Sequence, residues 1–178
     1  MDVSEHSAAL GDPGRALLAL YESALPHVYG YLVARCSGVA LAEDLTAETF
    51  LAAVDAVRRD DPPPVSTQWL IGVARHKLAD HWRRQAREER HLSSVAASDD
   101  GHLADPWDTH LDAVRARDTL ACLSPPHRAA LTLRYLDDLP VPEVADFLER
   151  TVHATEALLV RARSAFRRAY EAGEDLDG

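Results

Sequence analysis

The stretch Trp69–Arg87, WLIGVARHKLADHWRRQAR, sorts its side chains cleanly only when wound as a helix. At helical spacing Leu70, Ile71, Ala74, Leu78 and Trp82 share one face, while His76, Lys77, Arg83, Arg84 and Arg87 gather on the other, with Trp69 toward the basic side. The apolar face demands cover from other helices, which commits this part of the chain to helix-on-helix packing. The formal net charge of the whole chain is -10. Cations concentrated on one face against that background point to a site for a polyanion.

The rest of the chain has the same periodicity. From Arg15 to Ala34 the residues Leu17, Leu18, Leu20, Tyr21, Leu25, Val28, Tyr29, Leu32 and Val33 recur at three- and four-residue spacing, with Pro26 placed to bend or divide the run. After Cys36-Ser37-Gly38 the segment ALAEDLTAETFLAAVDAVRR reads as a second helix. Leu41, Leu45, Phe50, Leu51, Val54 and Val57 supply its core side, and Asp44 and Glu48 sit one turn apart on its exposed side. Asp60-Asp61-Pro62-Pro63-Pro64 ends it, because successive prolines lack the helical donor and push their predecessors toward extended backbone. Ser66 or Thr67 caps the basic helix.

Residues 92–108 lose periodicity and fill with Ser, Asp and Gly, the composition of a flexible linker. Beyond them an amphipathic segment, LDAVRARDTLACL, is stopped by Ser124-Pro125-Pro126, which also starts the helix HRAALTLRYL. VPEVADFLE, a tight turn around Arg150 and TVHATEALLVRARSAFRRAYEAG then match a helix-turn-helix in length and pattern. No stretch alternates as a strand should. The expected fold is all-α: a tail over residues 1–14, one helical module over 15–91, the linker, and a second module over 109–172.

Composition narrows the function. At 178 residues and 47% hydrophobic content, the chain holds one ordinary domain or two small ones. Cys36 and Cys122 lie far apart without a CxxC spacing, so they read as reduced, buried thiols and not as a zinc site or a disulfide. The acidic N-terminus has neither a basic lead-in nor a long apolar run, so no secretory signal, no membrane contact and a cytoplasmic location are expected.

AEDLTAETFLAAVDAVRR, TQWLIGVARHKLADHWRR, LSPPHRAALTLRYLDDLPVPEVADFL and the VRAR of the last helix, in that order and at those separations, resemble the bacterial RNA polymerase sigma factors of the sigma-70 family, extracytoplasmic-function (ECF) group. The resemblance runs over roughly residues 16 to 169 and implies an initiation factor reduced to two modules, region 2 for the −10 promoter element and region 4 for the −35 element. It implies that Asp44, Leu45, Glu48 and Phe50 dock on the clamp coiled coil of the polymerase largest subunit, with the second module on the flap. It implies that the loop from Asp60 to Gln68 captures a flipped base, and that Trp69, Arg75, His76, Lys77, Arg83 and Arg84 hold and open −10 DNA. Stacking on an aromatic side chain, with cations on the phosphates, offsets the unstacking that strand opening requires.

In the second module the resemblance makes Val141–Glu149 the scaffold helix and Val152–Arg168 the recognition helix, capped by Thr151. Arg134, Arg161 and Arg163 take phosphate-facing positions, and His153, Thr155 and Glu156 complete the −35 set. The chain departs from the family here: Glu149 or Arg150 stands where many relatives have a glycine, and Ala154, Glu156, Ala157 and Leu158 occupy positions expected to face the groove. Glu156 can accept from cytosine but repels phosphate. His76 replaces a common asparagine, and Ala47 a common glutamine. Partners implied are core RNA polymerase, promoter DNA and an anti-sigma factor; no cofactor or metal is implied.

Other readings of the same residues stand beside this one. Asp44 and Glu48 also fit a merely solvated helix face, Trp69 a core tryptophan, and Trp82, on the apolar face, fits the core better than a site. Glu88-x-x-His91 is half of a di-iron bundle motif without its second copy, and no HExxH, Walker loop, GxSxG or dinucleotide turn occurs, so no enzyme is expected. A helix-turn-helix repressor explains the second half alone. A protein-interaction module held by a partner would explain the acidic helices and the substituted recognition helix.

Overall fold

The computed structural model describes residues 13–92 and 113–174. It is built from helices, with no strand among the described residues: α1 (Pro13–Val33), α2 (Val39–Val57), α3 (Thr67–Leu92), α4 (Ala113–Cys122), α5 (Pro125–Leu131), α6 (Val141–Leu148) and α7 (Val152–Glu174). The expected tail lies outside the described residues up to Asp12, while Pro13 and Gly14 already belong to α1. The expected linker also lies outside them, apart from Leu92 at the end of α3. Two compact units, Met1–Leu78 and Ala79–Gly178, meet inside α3.

In the first unit α1 packs along α2. Pro26 neither breaks nor divides α1; it stands exposed on the helix, where the carbonyl its ring leaves unbonded can reach water. Leu17, Ala24, Val28 and Leu32 of α1 meet a core that also holds Ala42, Leu45 and Ala53 of α2 and Leu70, Ala74 and Leu78 of α3. Thr46 and Thr49 are buried in α2 without an orphaned hydroxyl, because each donates back to a carbonyl one turn earlier, Ala42 at 2.6 Å and Leu45 at 2.7 Å. The Ser66 hydroxyl accepts from the Trp69 N–H at 3.1 Å and so caps α3.

In the second unit α7 is the long helix against which α4, α5 and α6 pack. Ser124 precedes α5 as expected but makes no side-chain cap, and Pro125 supplies the preset first turn. α5 continues into a widened final turn, Thr132–Leu136, closed by the Asp137 N–H on the Thr132 carbonyl at 3.1 Å. Arg128 was not singled out by the sequence pattern, yet it is 7% exposed and organises this unit. Its guanidinium donates to the Leu120 carbonyl at 3.0 Å, to Leu123 at 3.0 Å and to Ala121, satisfying the end of α4. Cys36 is buried as expected, whereas Cys122, in the last turn of α4, is exposed.

The turn between α6 and α7 requires left-handed backbone, and Glu149 adopts it with φ 53 and ψ 47. For a residue with a Cβ this costs about 1 kcal/mol. Glu149→Gly is therefore expected to raise the melting temperature by about 2–5 °C. Glu149→Ala keeps the strain, loses the carboxylate and is expected not to raise it; a gain in both would locate the effect elsewhere.

Candidate functional site: a docking face and two DNA-facing helices

α2 places its acidic residues unequally. Asp44 is exposed, and Glu48 is half-buried with its Oε2 3.6 Å from Lys77 Nζ of α3. Leu45, expected to touch polymerase, is 1% exposed and belongs to the core of the unit in which α2 packs on α1. Phe50 is half-buried and meets Tyr21 edge to face, with ring centroids 4.9 Å apart. Leu51, read from periodicity as core, is 65% exposed, and Leu18 of the first apolar run is 75% exposed. They line an open apolar groove between α1 and α2, together with Leu17, Tyr21, Phe50 and Val54. Periodicity alone missed it, since an apolar arc wider than one helix contact looks the same whether or not its edge is covered.

α3 has the two faces its sequence required. Leu70, Ala74, Leu78 and Trp82 are sealed inside, each 1% exposed or less. Trp82 is thus a core residue, though its indole N–H is buried without an acceptor. Trp69 is half-buried, with His76 two turns further along, and Arg84 and Arg87 are exposed nearer the C-terminal end. Arg75 and Lys77 are half-buried, Lys77 against Glu48. Arg83, expected on −10 DNA, is already engaged: it pairs with Asp80, lies 3.3 Å from Glu149 Oε1 and donates to the Phe147 carbonyl.

The helix-turn-helix of α6 and α7 starts as expected, with the Thr151 hydroxyl accepting from the Ala154 N–H at 3.2 Å. His153, Glu156, Ala157 and Arg161 are exposed along α7. Thr155, expected at the −35 element, is fully buried and donates to the Thr151 carbonyl at 3.0 Å. Leu158, expected to face the groove, is 3% exposed. Both positions fall on the α7 stripe that α5 and α6 cover. Arg134 is committed to the fold, with its guanidinium donating to the Leu139 carbonyl at 3.0 Å, 3.9 Å from the Asp138 carboxylate and over the Tyr135 ring. Arg163 donates to the Tyr135 hydroxyl at 3.1 Å. His127 is held below its ordinary value of 6.5 by burial and then by the Arg161 and Arg168 charges.

A basic, aromatic-bearing helix and a helix-turn-helix on one chain are marks of a nucleic-acid-binding protein. Residues 20–88 match the sigma-70 region 2 model and residues 113–166 the sigma-70 region 4 model. The ECF RNA polymerase sigma factor SigC of Mycobacterium tuberculosis is 34% identical over 163 residues, covering 89% of this chain and 85% of that protein. The ECF factor SigM of Bacillus subtilis is 29% identical over 161 residues, covering 86% and 94%. The chain belongs to the extracytoplasmic-function sigma factors of the sigma-70 family. Its fold is that of sigma factor RpoE from Bartonella quintana, solved with the anti-sigma factor NepR, with a TM-score of 0.53 at 18% identity over 88% of this chain and 98% of that one. Sigma factors are non-enzymatic initiation factors. Among the described residues no helix is long and apolar enough to cross a membrane.

Proposed function

We propose that this sigma factor docks on the clamp coiled coil of core RNA polymerase through the exposed side of α2, holds −35 duplex with α7, and opens −10 DNA along α3. The observation that carries the reading is α3 itself: a helix sealed on one side by Leu70, Ala74, Leu78 and Trp82 that turns Trp69, His76 and Arg84 outward. An aromatic ring followed by cations suits single-stranded DNA, where base stacking and phosphate contacts replace duplex stacking. Asp44 and Glu48 supply charge that fixes register on a basic partner helix, and the Phe50–Leu51 side of the groove supplies apolar contact. Thr151, His153, Glu156, Arg161 and Arg163 remain the candidate −35 contacts, with Thr155 and Arg134 holding the fold beneath them. An inhibitor of the anti-sigma kind that covered the α1–α2 groove would block the same docking face.

Run-off transcription with core polymerase, promoter fragments and the purified chain tests the reading. Transcripts that appear only with the chain support it. Tight binding to closed duplex without polymerase, and no transcript, would establish the repressor instead. Within that assay Trp69→Ala is expected to preserve closed complexes while lowering permanganate reactivity of thymines near −10 by about tenfold, the loss of one stacked base at about 1–3 kcal/mol. Unchanged reactivity would remove Trp69 from the opening step.

A further inference from the structure

α1 and α2 are joined by residues 34–38 and pack along one another, so the first turn of α1 lies beside the last turns of α2. The apolar groove between them runs from Gly14 and Val54 past Leu18 and Leu51 to Tyr21 and Phe50, with a volume of about 560 Å³. Leu18, Tyr21 and Leu51 are exposed along it. An apolar strip of this kind is unfavourable in water and calls for cover. Charge is gathered at one end of it. Arg15, next to Gly14, and Arg58 and Arg59, just past Val54, are exposed there, with Asp55 the neighbouring carboxylate on α2.

The chain itself supplies a segment that suits this groove. Residues 1–12, MDVSEHSAALGD, run directly into Pro13 and Gly14 and are therefore tethered at its basic end. Their charged side chains are Asp2, Glu5 and Asp12, with no lysine or arginine, the complement of Arg15, Arg58 and Arg59. Val3 and Leu10 are branched apolar residues of the size the groove takes, and Gly11 allows the chain reversal that brings Leu10 back along α1. Reach is sufficient, since Gly14 to Tyr21 is about 10 Å of helix and about three or four extended residues span that length. The tether also makes the contact intramolecular, at an effective concentration in about the millimolar range. We propose that residues 1–12 fold back over the α1–α2 groove, with Leu10 and Val3 against Leu18, Leu51 and Phe50, and with their carboxylates toward Arg15, Arg58 and Arg59. Ordering the segment costs conformational entropy that the small apolar area exceeds only narrowly, so the cover opens and closes. Its effect on polymerase rests on the docking face proposed above: a covered groove withholds Phe50 and Leu51 from the clamp, so segment and polymerase exclude each other.

The test is NMR of the full chain with labelled methyl groups, read as nuclear Overhauser contacts from Val3 and Leu10 to the Tyr21 and Phe50 rings at low and high protein concentration. The contacts are expected to be present, to be unchanged by dilution, to weaken with added salt and to disappear in Leu10→Ser. Leu10 precedes the first helix, so that substitution leaves the folded units intact. The same variant is expected to bind core polymerase about threefold more tightly, the gain from freeing a groove that is covered about two-thirds of the time. Absence of the contacts overturns the proposal, whatever the affinity for polymerase. So do contacts that fade on dilution, which would make a second copy of the chain the occupant. Contacts that are present while Leu10→Ser binds polymerase no better uphold the folded-back segment and remove the groove from the polymerase docking face instead.

Discussion

Asp44→Lys combined with Glu48→Lys is expected to weaken association with core polymerase by at least about a hundredfold, enough to abolish co-purification and run-off transcription. Asp44 is exposed, so its reversal acts on a partner and not on the core. Glu48 does have an internal partner, Lys77 at 3.6 Å, but both side chains are substantially exposed, and such pairs contribute at most about 1 kcal/mol. The doubly reversed protein should therefore keep its helical content and melt within a few degrees of the parent. Co-purification that survives the double reversal would move the docking surface off this side of α2.

Arg128→Ala is expected to destabilise the second unit by about 3 kcal/mol and to lower its melting temperature by about 10 °C or more. The side chain lies 7% exposed and its guanidinium serves the carbonyls of Leu120, Ala121 and Leu123 at once. Truncation takes the guanidinium from the Ala121 and Leu123 carbonyls, leaves Leu120 with only the Leu123 N–H at 3.2 Å, and opens space where the fork had been. Arg128→Lys should recover little, because an ammonium on a flexible stem cannot span three carbonyls in the geometry of a planar fork. The expected functional result is loss of −35 binding through loss of the fold, with α2 docking on polymerase retained. A variant that melts like the parent would show that water replaces the guanidinium.

Much of this was legible from residue order. α3 was readable because its apolar and basic residues separate at helical spacing, and Ser66 and Thr151 announced the starts of α3 and α7 by the chemistry of their hydroxyls. Trp82 was readable as core for the same reason. What could not be read was which residues on a given face meet another element. Leu45 and Thr155 occupy positions that a family pattern turns outward, yet both are closed over by neighbouring helices. Leu18 and Leu51 have the spacing of core residues and lie open because nothing described covers that edge. Arg134 and Arg83 carry the charge of DNA contacts, and each finds its oxygen partners inside the protein.

Sequence alone determined the helical architecture, the positions of the helix starts and the concentration of cations on α3, because periodicity, capping chemistry and charge are local properties of neighbouring residues. Tertiary structure decided the burial of Arg128 beneath α4, the left-handed turn at Glu149 and the open groove beside Phe50. Those features join residues distant in the chain, and only the folding of helices onto one another sets which of them come within reach.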